Sequence, residues 1–329
     1  MAKQTLTIGI IGGSGLGDTF ATEARAAVHE VDTPFGRPSG PITVVDWSGV
    51  EVCLLQRHGP GHLLNPTAVP YRANIYAMKS LGVTHLLASG ATGSLREGIH
   101  PGELVVVDQV VDKTTRRANT FYEDAAVHVE FSEPFCPVMR RWLLAAAERA
   151  EPPHGANTVV HDRGTYVCME GPAFSTRAES AWHRQLGGDL IGMTAMPEAR
   201  LAREAEIAYA LIAMPTDYDS WKPRASKHAP ESESSPEPSA EQPPAHPLEA
   251  GPAPSAEEGM SLLEEIIGNL HKATAANLAL IKAALRDLTI LRENPSPAHD
   301  ALALGIWSDK AQLDPREVER LGVLWGRHF

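Results

Sequence analysis

Short apolar runs alternate with amphipathic stretches along most of this chain. Five runs have the length and composition of buried strands, and they occupy residues 6–11, 51–56, 84–89, 103–111 and 207–214. Amphipathic stretches such as 71–81 and 198–206 lie between several of them and have helical spacing. This alternation predicts an α/β fold in a single domain, with a central mixed β-sheet flanked by helices.

The alternation breaks off after residue 222. Residues 223–258 are rich in Pro, Glu and Ser, and their single large aliphatic residue is Leu248. Such a segment cannot bury enough apolar surface to offset the entropy lost on ordering, so we predict a disordered insertion. Apolar residues at helical spacing resume after it. The domain is therefore predicted to consist of residues 1–222 and 259–293.

Residues 294–329 follow as a C-terminal extension. They contain the stretch LDPREVERLGVLW, in which Asp314 and Pro315 are suited to start a short helix. Nothing in the pattern assigns a role to this extension.

The charges and the cysteines narrow the class of function. The chain has 29 Lys and Arg residues against 41 Asp and Glu residues, and this net charge of -12 argues against nucleic acid or an anionic membrane as a partner. The cysteines at 53, 136 and 168 lack the spacing of a disulfide framework or a metal site. No stretch has the features of a signal peptide or a transmembrane helix. We expect a cytoplasmic protein that acts on small molecules and holds no metal.

Two junctions after predicted strands carry groups suited to an anion. The turn Gly12–Gly17 lacks the spacing of a dinucleotide or Walker loop, so its backbone N–H groups and Ser14 form either an anion nest or a plain tight turn. Arg57 and His58 stand side by side where the next strand ends. A guanidinium beside an imidazole suits phosphate or carboxylate, although such pairs also occur on ordinary surfaces.

The stretch MEGPAFSTRAES combines a helix start with two further groups. Thr176 and Glu179 have the spacing of a capping box, which predicts a helix from residue 177. This leaves Phe174 and Ser175 at the helix start, where they offer an aromatic face and a hydroxyl beside a positive helix end.

Two acids follow the last apolar run, in PTDYDSW. In extended backbone, residues two apart point the same way, so Asp217 and Asp219 would share one face. A strand that ends in solvent gives the same pattern, because Asp is a common turn residue.

The order of these motifs resembles one family. IGIIGGSGL, TPFGRPS, RHGPGH, GSLREGIHPGE, DQVVDKTTRRANTFY, SEPFCP, EGPAFSTRAES, GMTAMPEARLAREA and TDYDSW occur in the order seen in 5'-methylthioadenosine phosphorylases, a branch of the trimeric purine nucleoside phosphorylases. The resemblance covers residues 8–222 and the helix after the insertion. It implies a nucleoside phosphorylase-like fold and a homotrimer.

The resemblance also implies a reaction. Such a pentosyltransferase cleaves 5'-methylthioadenosine with inorganic phosphate to give adenine and 5-methylthioribose 1-phosphate, in purine and methionine salvage. Phosphate is a co-substrate, and no organic cofactor is expected. Broader 6-aminopurine activity toward adenosine or 5'-deoxyadenosine, 6-oxopurine activity, and a catalytically silent nucleoside-binding protein are the alternatives.

Site residues carry over from the family position by position. Phosphate would be bound at Ser14, Arg57, His58, Gly90, Ala91, Ser175 and Thr194. The nucleoside would contact Phe174, Met193, Asp217, Asp219, Ile266 and Ile267, together with Leu263 and with His128 from a neighbouring subunit.

The two acids have a chemical reason to be paired in this family. Negative charge builds on the departing base, and burial beside a like charge raises the pKa of one carboxyl, so the pair can hold a proton. We expect Asp217 to be that donor and Asp219 to accept from the 6-amino group. Ser175 and Asp217 stand where 6-oxopurine enzymes carry Glu and Asn, which favours adenine.

Two departures from the family are visible. Animal-type enzymes carry Thr where Gly90 stands, so one hydroxyl contact is missing. The insertion of about 35 residues replaces a short loop beside the pocket.

Overall fold

The computed structural model describes residues 6–13, 26–47, 49–150, 159–222 and 256–329, with only the backbone described in 256–263. Among these residues lie eleven strands and eight α-helices. No helix in the described ranges is long and apolar enough to cross a membrane.

The strands all belong to one sheet. Their bounds are β1 Ile8–Gly12, β2 Ala26–His29, β3 Ile42–Trp47, β4 Val50–Gln56, β5 His85–Ser94, β6 Leu104–Val106, β7 Gln109–Asp112, β8 Val160–His161, β9 Thr165–Cys168, β10 Leu190–Gly192 and β11 Ala208–Asp217.

The helices of the described ranges lie between and after these strands. Their bounds are α1 Tyr71–Ser80, α2 Pro137–Ala147, α3 Arg177–Gln185, α4 Ala195–Glu204, α5 Ala256–Leu285, α6 Thr289–Glu293, α7 Pro315–Arg320 and α8 Gly322–Trp325. The predicted α/β fold with a mixed sheet is confirmed.

Strand β5 organises the sheet. It pairs in parallel with β1 and β11, and its far end pairs antiparallel with β10. The predicted strand 103–111 is divided, because β6 pairs with β11 whereas β7 pairs with β9. The parallel strands β1, β4, β5 and β11 bring their carboxyl ends to one edge, where ligands of such sheets bind.

Apolar cores cover both faces of the sheet. Tyr209 and Leu211 of β11 face the core formed with α1 and α4, and the alternate Ala210 and Ile212 face the core formed with α2 and α5. A strand buried on both faces reads as a continuous apolar run, which explains why β11 was visible in the sequence.

The predicted insertion lies largely outside the described residues, which resume at 256. Helix α5 begins there, at Ala256, three residues before the predicted resumption at 259.

The predicted start of α7 is confirmed, because the Asp314 carboxylate accepts from the Arg316 N–H at 2.8 Å.

The C-terminal segment is tied to the domain by a buried acid. The Glu206 carboxylate accepts from the Leu302 N–H at 3.0 Å and from Arg327 Nε at 2.8 Å. Trp325 is fully buried in the same core as α1. Residues 294–329 therefore pack as part of this domain.

Candidate active site

The sheet edge collects most of the residues singled out in the sequence. Arg57 and His58 directly follow β4, Gly90 and Ala91 lie in β5, and Asp217 ends β11. Ser14, predicted to contact phosphate, lies outside the described residues.

Arg57 is fixed from several sides at this edge. Its Nε and Nη2 donate to the two carboxylate oxygens of Glu198 at 2.8 and 2.9 Å, and Nη1 donates to the Ser89 carbonyl at 2.8 Å. Burial alone would lower the pKa of Arg57, yet the Glu198 carboxylate raises it, so the guanidinium stays charged. The pair as a whole is electrically neutral.

Gly90 leaves space beside this guanidinium. A Cβ atom at Gly90 would lie 3.8 Å from Arg57 Nη1 and 3.6 Å from Thr194 Oγ1. The Thr194 side chain makes no capping bond to α4 among the described residues, and its hydroxyl borders this space and interacts with the Tyr166 hydroxyl. Three predicted phosphate contacts are thus brought together.

His58 is held in one tautomer. Its Nδ1–H donates to the Leu64 carbonyl at 2.7 Å, and its ring stacks on His62 with centroids 4.3 Å apart. Burial, together with the charge of Arg57, lowers the pKa of His58 to about 4. Near neutral pH, Nε2 therefore has a lone pair that is available to accept a hydrogen bond.

The loop between β9 and α3 carries further residues that the sequence predicted for the site. The capping box is confirmed, because Thr176 Oγ1 accepts from the Glu179 N–H at 3.2 Å and the Glu179 carboxylate accepts from the Thr176 N–H at 2.8 Å. Ser175 is buried, and its carbonyl accepts from Ser220 Oγ at 2.6 Å. Phe174 is 80% exposed in the single chain.

Asp217 and Asp219 meet through a turn rather than along an extended strand. Asp217 is the last residue of β11, and Asp219 has a left-handed backbone with φ 50°. The Asp219 N–H donates to Asp217 Oδ1 at 2.8 Å, and the Thr216 hydroxyl donates to Asp217 Oδ2 at 2.8 Å. The expected proximity holds, but the expected geometry was wrong, because a side-chain turn replaces strand alternation.

The Asp219 carboxyl lies in buried surroundings. Burial raises the pKa of Asp219, and the Asp217 charge adds to this, while the Ser180 and Ser175 hydroxyls partly offset it. Asp219 Oδ2 is buried and has no hydrogen-bond partner among the described residues. A raised pKa favours the protonated form of the Asp219 carboxyl, whereas the sequence suggested Asp217 as the proton donor.

A glycine keeps room for the acids. A Cβ atom at Gly93 would lie 3.2 Å from Asp217 Oδ1, 3.1 Å from the Asp219 Cβ and 2.9 Å from the Ile191 Cγ2. Gly93 was not predicted as a site residue, because nothing in its neighbourhood distinguishes it from other strand glycines.

Helix α5 is joined to the end of β11. Asn269 Nδ2 donates to the Thr216 carbonyl at 2.9 Å. Ile266 lies one turn earlier on the same helix face and is partly buried, whereas Ile267 is 42% exposed. Of the predicted pocket residues on α5, Ile266 is therefore the better placed, and the side chain of Leu263 lies outside the described residues.

His128 contacts the C-terminal segment. Its N–H donates to the Gly305 carbonyl at 2.8 Å, and its ring lies 4.7 Å from that of Trp307. Within the described ranges it contacts none of the residues at the sheet edge.

One acid that supports Arg57 was also missed in the sequence. Glu198 is fully buried, and besides Arg57 it accepts from the Tyr209 hydroxyl at 2.9 Å. A buried guanidinium requires a buried acid, but a sequence with many acids does not reveal which one pairs.

The described residues contain no group of three or more His, Cys, Asp or Glu side chains that is suited to hold a metal ion.

Comparison with known proteins places this geometry in a family. The phosphorylase superfamily model matches residues 7–241. S-methyl-5'-thioadenosine phosphorylase of Chloroflexus aurantiacus is 43% identical over 332 residues, covering 99% of both chains. The enzyme of the same name from Geobacter sulfurreducens is 41% identical, covering 98% of both. Because these alignments span nearly the full length, the long segment after Trp221 and the C-terminal segment do not set this chain apart from them.

Solved structures agree with the sequence relatives. A methylthioadenosine phosphorylase from an Antarctic soil metagenomic library has a TM-score of 0.77 and 39% identity, covering 98% of this chain and 99% of that one. The predicted nucleoside phosphorylase-like fold is confirmed.

Proposed function

Because this chain belongs to the phosphorylase superfamily, we propose that it cleaves 5'-methylthioadenosine with inorganic phosphate to give adenine and 5-methylthioribose 1-phosphate. The observation that carries the proposal is the sheet edge, which joins an anion site around Arg57 to the acid pair Asp217 and Asp219. The near full-length identity to S-methyl-5'-thioadenosine phosphorylases narrows the substrate.

Phosphate is the nucleophile in this scheme. A phosphate oxygen forms a bond to the anomeric carbon as the glycosidic bond to the base nitrogen N9 breaks, and the electron pair of that bond passes to adenine. Arg57, Thr194 and the N-terminal end of helix α3 hold the phosphate, and the phosphate also counters the positive charge on the ribose. Since Glu198 already neutralises Arg57, phosphate is bound mainly through directed hydrogen bonds.

The acid pair neutralises the leaving base. A proton carried by Asp219 passes to adenine N7, directly or through Asp217, and the base leaves neutral. A carboxylate oxygen can then accept from the 6-amino group, which a 6-oxo group cannot offer. This favours 6-aminopurine nucleosides over inosine.

We also propose a homotrimer that works in cytoplasmic purine and methionine salvage with phosphate as co-substrate and without an organic cofactor. Phe174, Trp307 and Leu304 are 80%, 71% and 90% exposed in the single chain, and a neighbouring subunit would bury part of this apolar surface. His128, beside Trp307, would then reach a neighbouring site. Sedimentation analysis tests the trimer, and a monomer at micromolar concentration would overturn it.

Adenine release tests the reaction itself. The purified protein is incubated with 5'-methylthioadenosine, adenosine, 5'-deoxyadenosine or inosine, each with and without phosphate, and free base is measured by chromatography. We expect release that requires phosphate and favours the methylthio substrate. Release without phosphate would indicate a nucleosidase, and binding without release would indicate a silent binding protein.

A further inference from the structure

The buried side chain of Arg117 contacts two segments that carry predicted site residues. Arg117 stands in the loop after β7, and its side chain is 1% exposed. Its Nη1 donates to the carbonyls of Met193 and Met196 at 2.6 and 2.7 Å. Its Nε and Nη2 donate to the side chain and the carbonyl of Glu170 at 2.8 and 2.7 Å. One rigid guanidinium therefore contacts two separate segments.

The first segment is the turn that presents Thr194. Met193 and Met196 flank this turn, and Met196 departs from helical geometry with φ -116° and ψ 139°. Such a residue interrupts the regular hydrogen bonding of the first helical turn, so the carbonyls here need other donors. Arg117 supplies them, and it thereby fixes the turn that offers Thr194 to phosphate and Met193 to ribose.

The second segment is the start of the loop that presents Phe174 and Ser175. The Glu170 carboxylate accepts from Thr67 Oγ1 at 2.6 Å and from the Thr115 N–H at 2.7 Å, besides Arg117. Burial would raise the pKa of Glu170, but these hydrogen bonds lower it to about 2, so it remains ionised. Glu170 is thus a fixed anchor four residues before Phe174.

The two segments also touch each other. Gly171, next to Glu170, has φ 68°, and a Cβ atom there would overlap the Met193 side chain. A shift of either segment therefore displaces the other.

We propose that Arg117 is a positioning residue. It fixes the turn at Thr194 and the loop at Phe174 relative to each other, so that phosphate and nucleoside are bound in the orientation that the reaction requires. This inference rests on the proposed function, since it takes the turn at Thr194 as the phosphate side and the loop at Phe174 as the base side. Misplacement of reacting groups by a distant change can cost about 10²-fold in rate.

The test compares four variants with the wild type. Arg117→Gln removes the fork, and Arg117→Lys keeps the charge but cannot reach both segments. Glu170→Gln weakens the base-side anchor and leaves the bonds to Met193 and Met196 in place. Arg116→Gln is the matched control, because the Arg116 side chain is exposed and only its backbone N–H bonds to Glu170.

We expect a distinct pattern for each variant. Arg117→Gln should raise KM for phosphate and for nucleoside at least about tenfold each and lower kcat/KM about 10²-fold. Arg117→Lys should recover part of this loss. Glu170→Gln should raise KM for nucleoside more than KM for phosphate, and Arg116→Gln should match the wild type.

Ligand-induced shifts in melting temperature provide a readout without turnover. In Arg117→Gln, the separate shifts caused by phosphate and by adenine should both shrink relative to the wild type. Full ligand shifts and unchanged KM values, with only a lower melting temperature, would overturn the proposal, as would a rise in one KM alone. An inactive wild type would instead overturn the proposed function, and the adenine and phosphate shifts would still report on Arg117.

Discussion

Arg57 and Glu198 form a bidentate ion pair at 2.8 and 2.9 Å, and both side chains are almost completely buried. The carboxylate fixes the plane of the guanidinium and leaves Nη1 beside Gly90 and Thr194. The pair therefore aims a single charged donor at the site without adding net charge to it.

Removal of Glu198 should be costly in stability. Glu198→Ala leaves a charged guanidinium unpaired in the core, and we expect a loss of about 3–5 kcal/mol in the free energy of unfolding, measured by urea denaturation. The exposed Glu319 provides a control, and Glu319→Gln should change stability very little.

A double variant separates stability from function at this pair. Arg57→Met combined with Glu198→Leu should regain much of the stability, because buried ion pairs are often replaced by apolar residues at little cost. It should still lack phosphate-dependent turnover. Full activity in this variant would show that Arg57 has no part in phosphate binding.

The two acids can be told apart by amide substitution. Asp219→Asn should lower kcat about 10²- to 10⁴-fold and leave KM for phosphate nearly unchanged, because it removes the carboxyl that holds the proton. Burial and the charge of Asp217 raise the pKa of Asp219, so wild-type kcat should fall on the alkaline side as this carboxyl ionises.

The alkaline decline of kcat should disappear in Asp219→Asn. Asp217→Asn is the matched comparison, and it should also lower turnover, because the amide NH2 that replaces one carboxylate oxygen cannot accept from the Thr216 hydroxyl. Normal turnover in Asp219→Asn together with loss in Asp217→Asn would assign the proton to Asp217, as the sequence suggested.

Gly93 should be intolerant of any side chain. A methyl group there contacts Asp217, Asp219 and Ile191 at 3.2 Å or less, so Gly93→Ala should displace the acid pair and lower kcat/KM by at least about tenfold. Gly98→Ala is the control, because nothing lies within 4 Å of its Cβ position. Equal activity of both variants would contradict the crowded geometry.

Glu204 should make stability depend on pH. It is buried, its carboxylate accepts from the Phe121 N–H at 2.8 Å, and burial raises its pKa to about 7 from the ordinary value of 4.5. The native state binds this proton more tightly than the unfolded chain does. The stability that it contributes is therefore fully present below about pH 4.5 and is lost as pH rises through about 7.

Glu204→Gln should remove this dependence. Glutamine stays neutral and keeps an acceptor for Phe121, so the variant should gain on the order of 3 kcal/mol at pH 8 and match the wild type near pH 4. Urea denaturation at the two pH values measures the difference. An equal stability of both proteins at pH 8 would contradict the raised pKa.

Much of this fold could be predicted from the sequence, because several elements have local or continuous patterns. Strand β11 is buried on both faces and therefore appeared as one apolar run, and Thr176 and Glu179 form a local capping box that needs no distant partner. The division of 103–111 into β6 and β7 was not readable, because it depends on which neighbouring strand each half joins.

Candidate site residues were identified in the sequence where short motifs present their own side chains, as at Arg57 and Asp217. Residues were missed where a distant partner completes the geometry. Arg57 and Glu198 are 141 positions apart, and the bonds of Arg117 reach Met193, 76 positions away. A buried charged group needs a partner, but the partner is a distant residue in each case. The sequence therefore does not reveal which residues form the pair.

The central claim is that phosphate attacks the anomeric carbon while adenine leaves. Phosphorus-31 NMR of the purified protein with 5'-methylthioadenosine and inorganic phosphate tests this directly. We expect a sugar 1-phosphate resonance to grow in step with free adenine, one for one, as inorganic phosphate declines. Adenine that accumulates while the phosphate signal stays constant would contradict it, because water would then be the nucleophile.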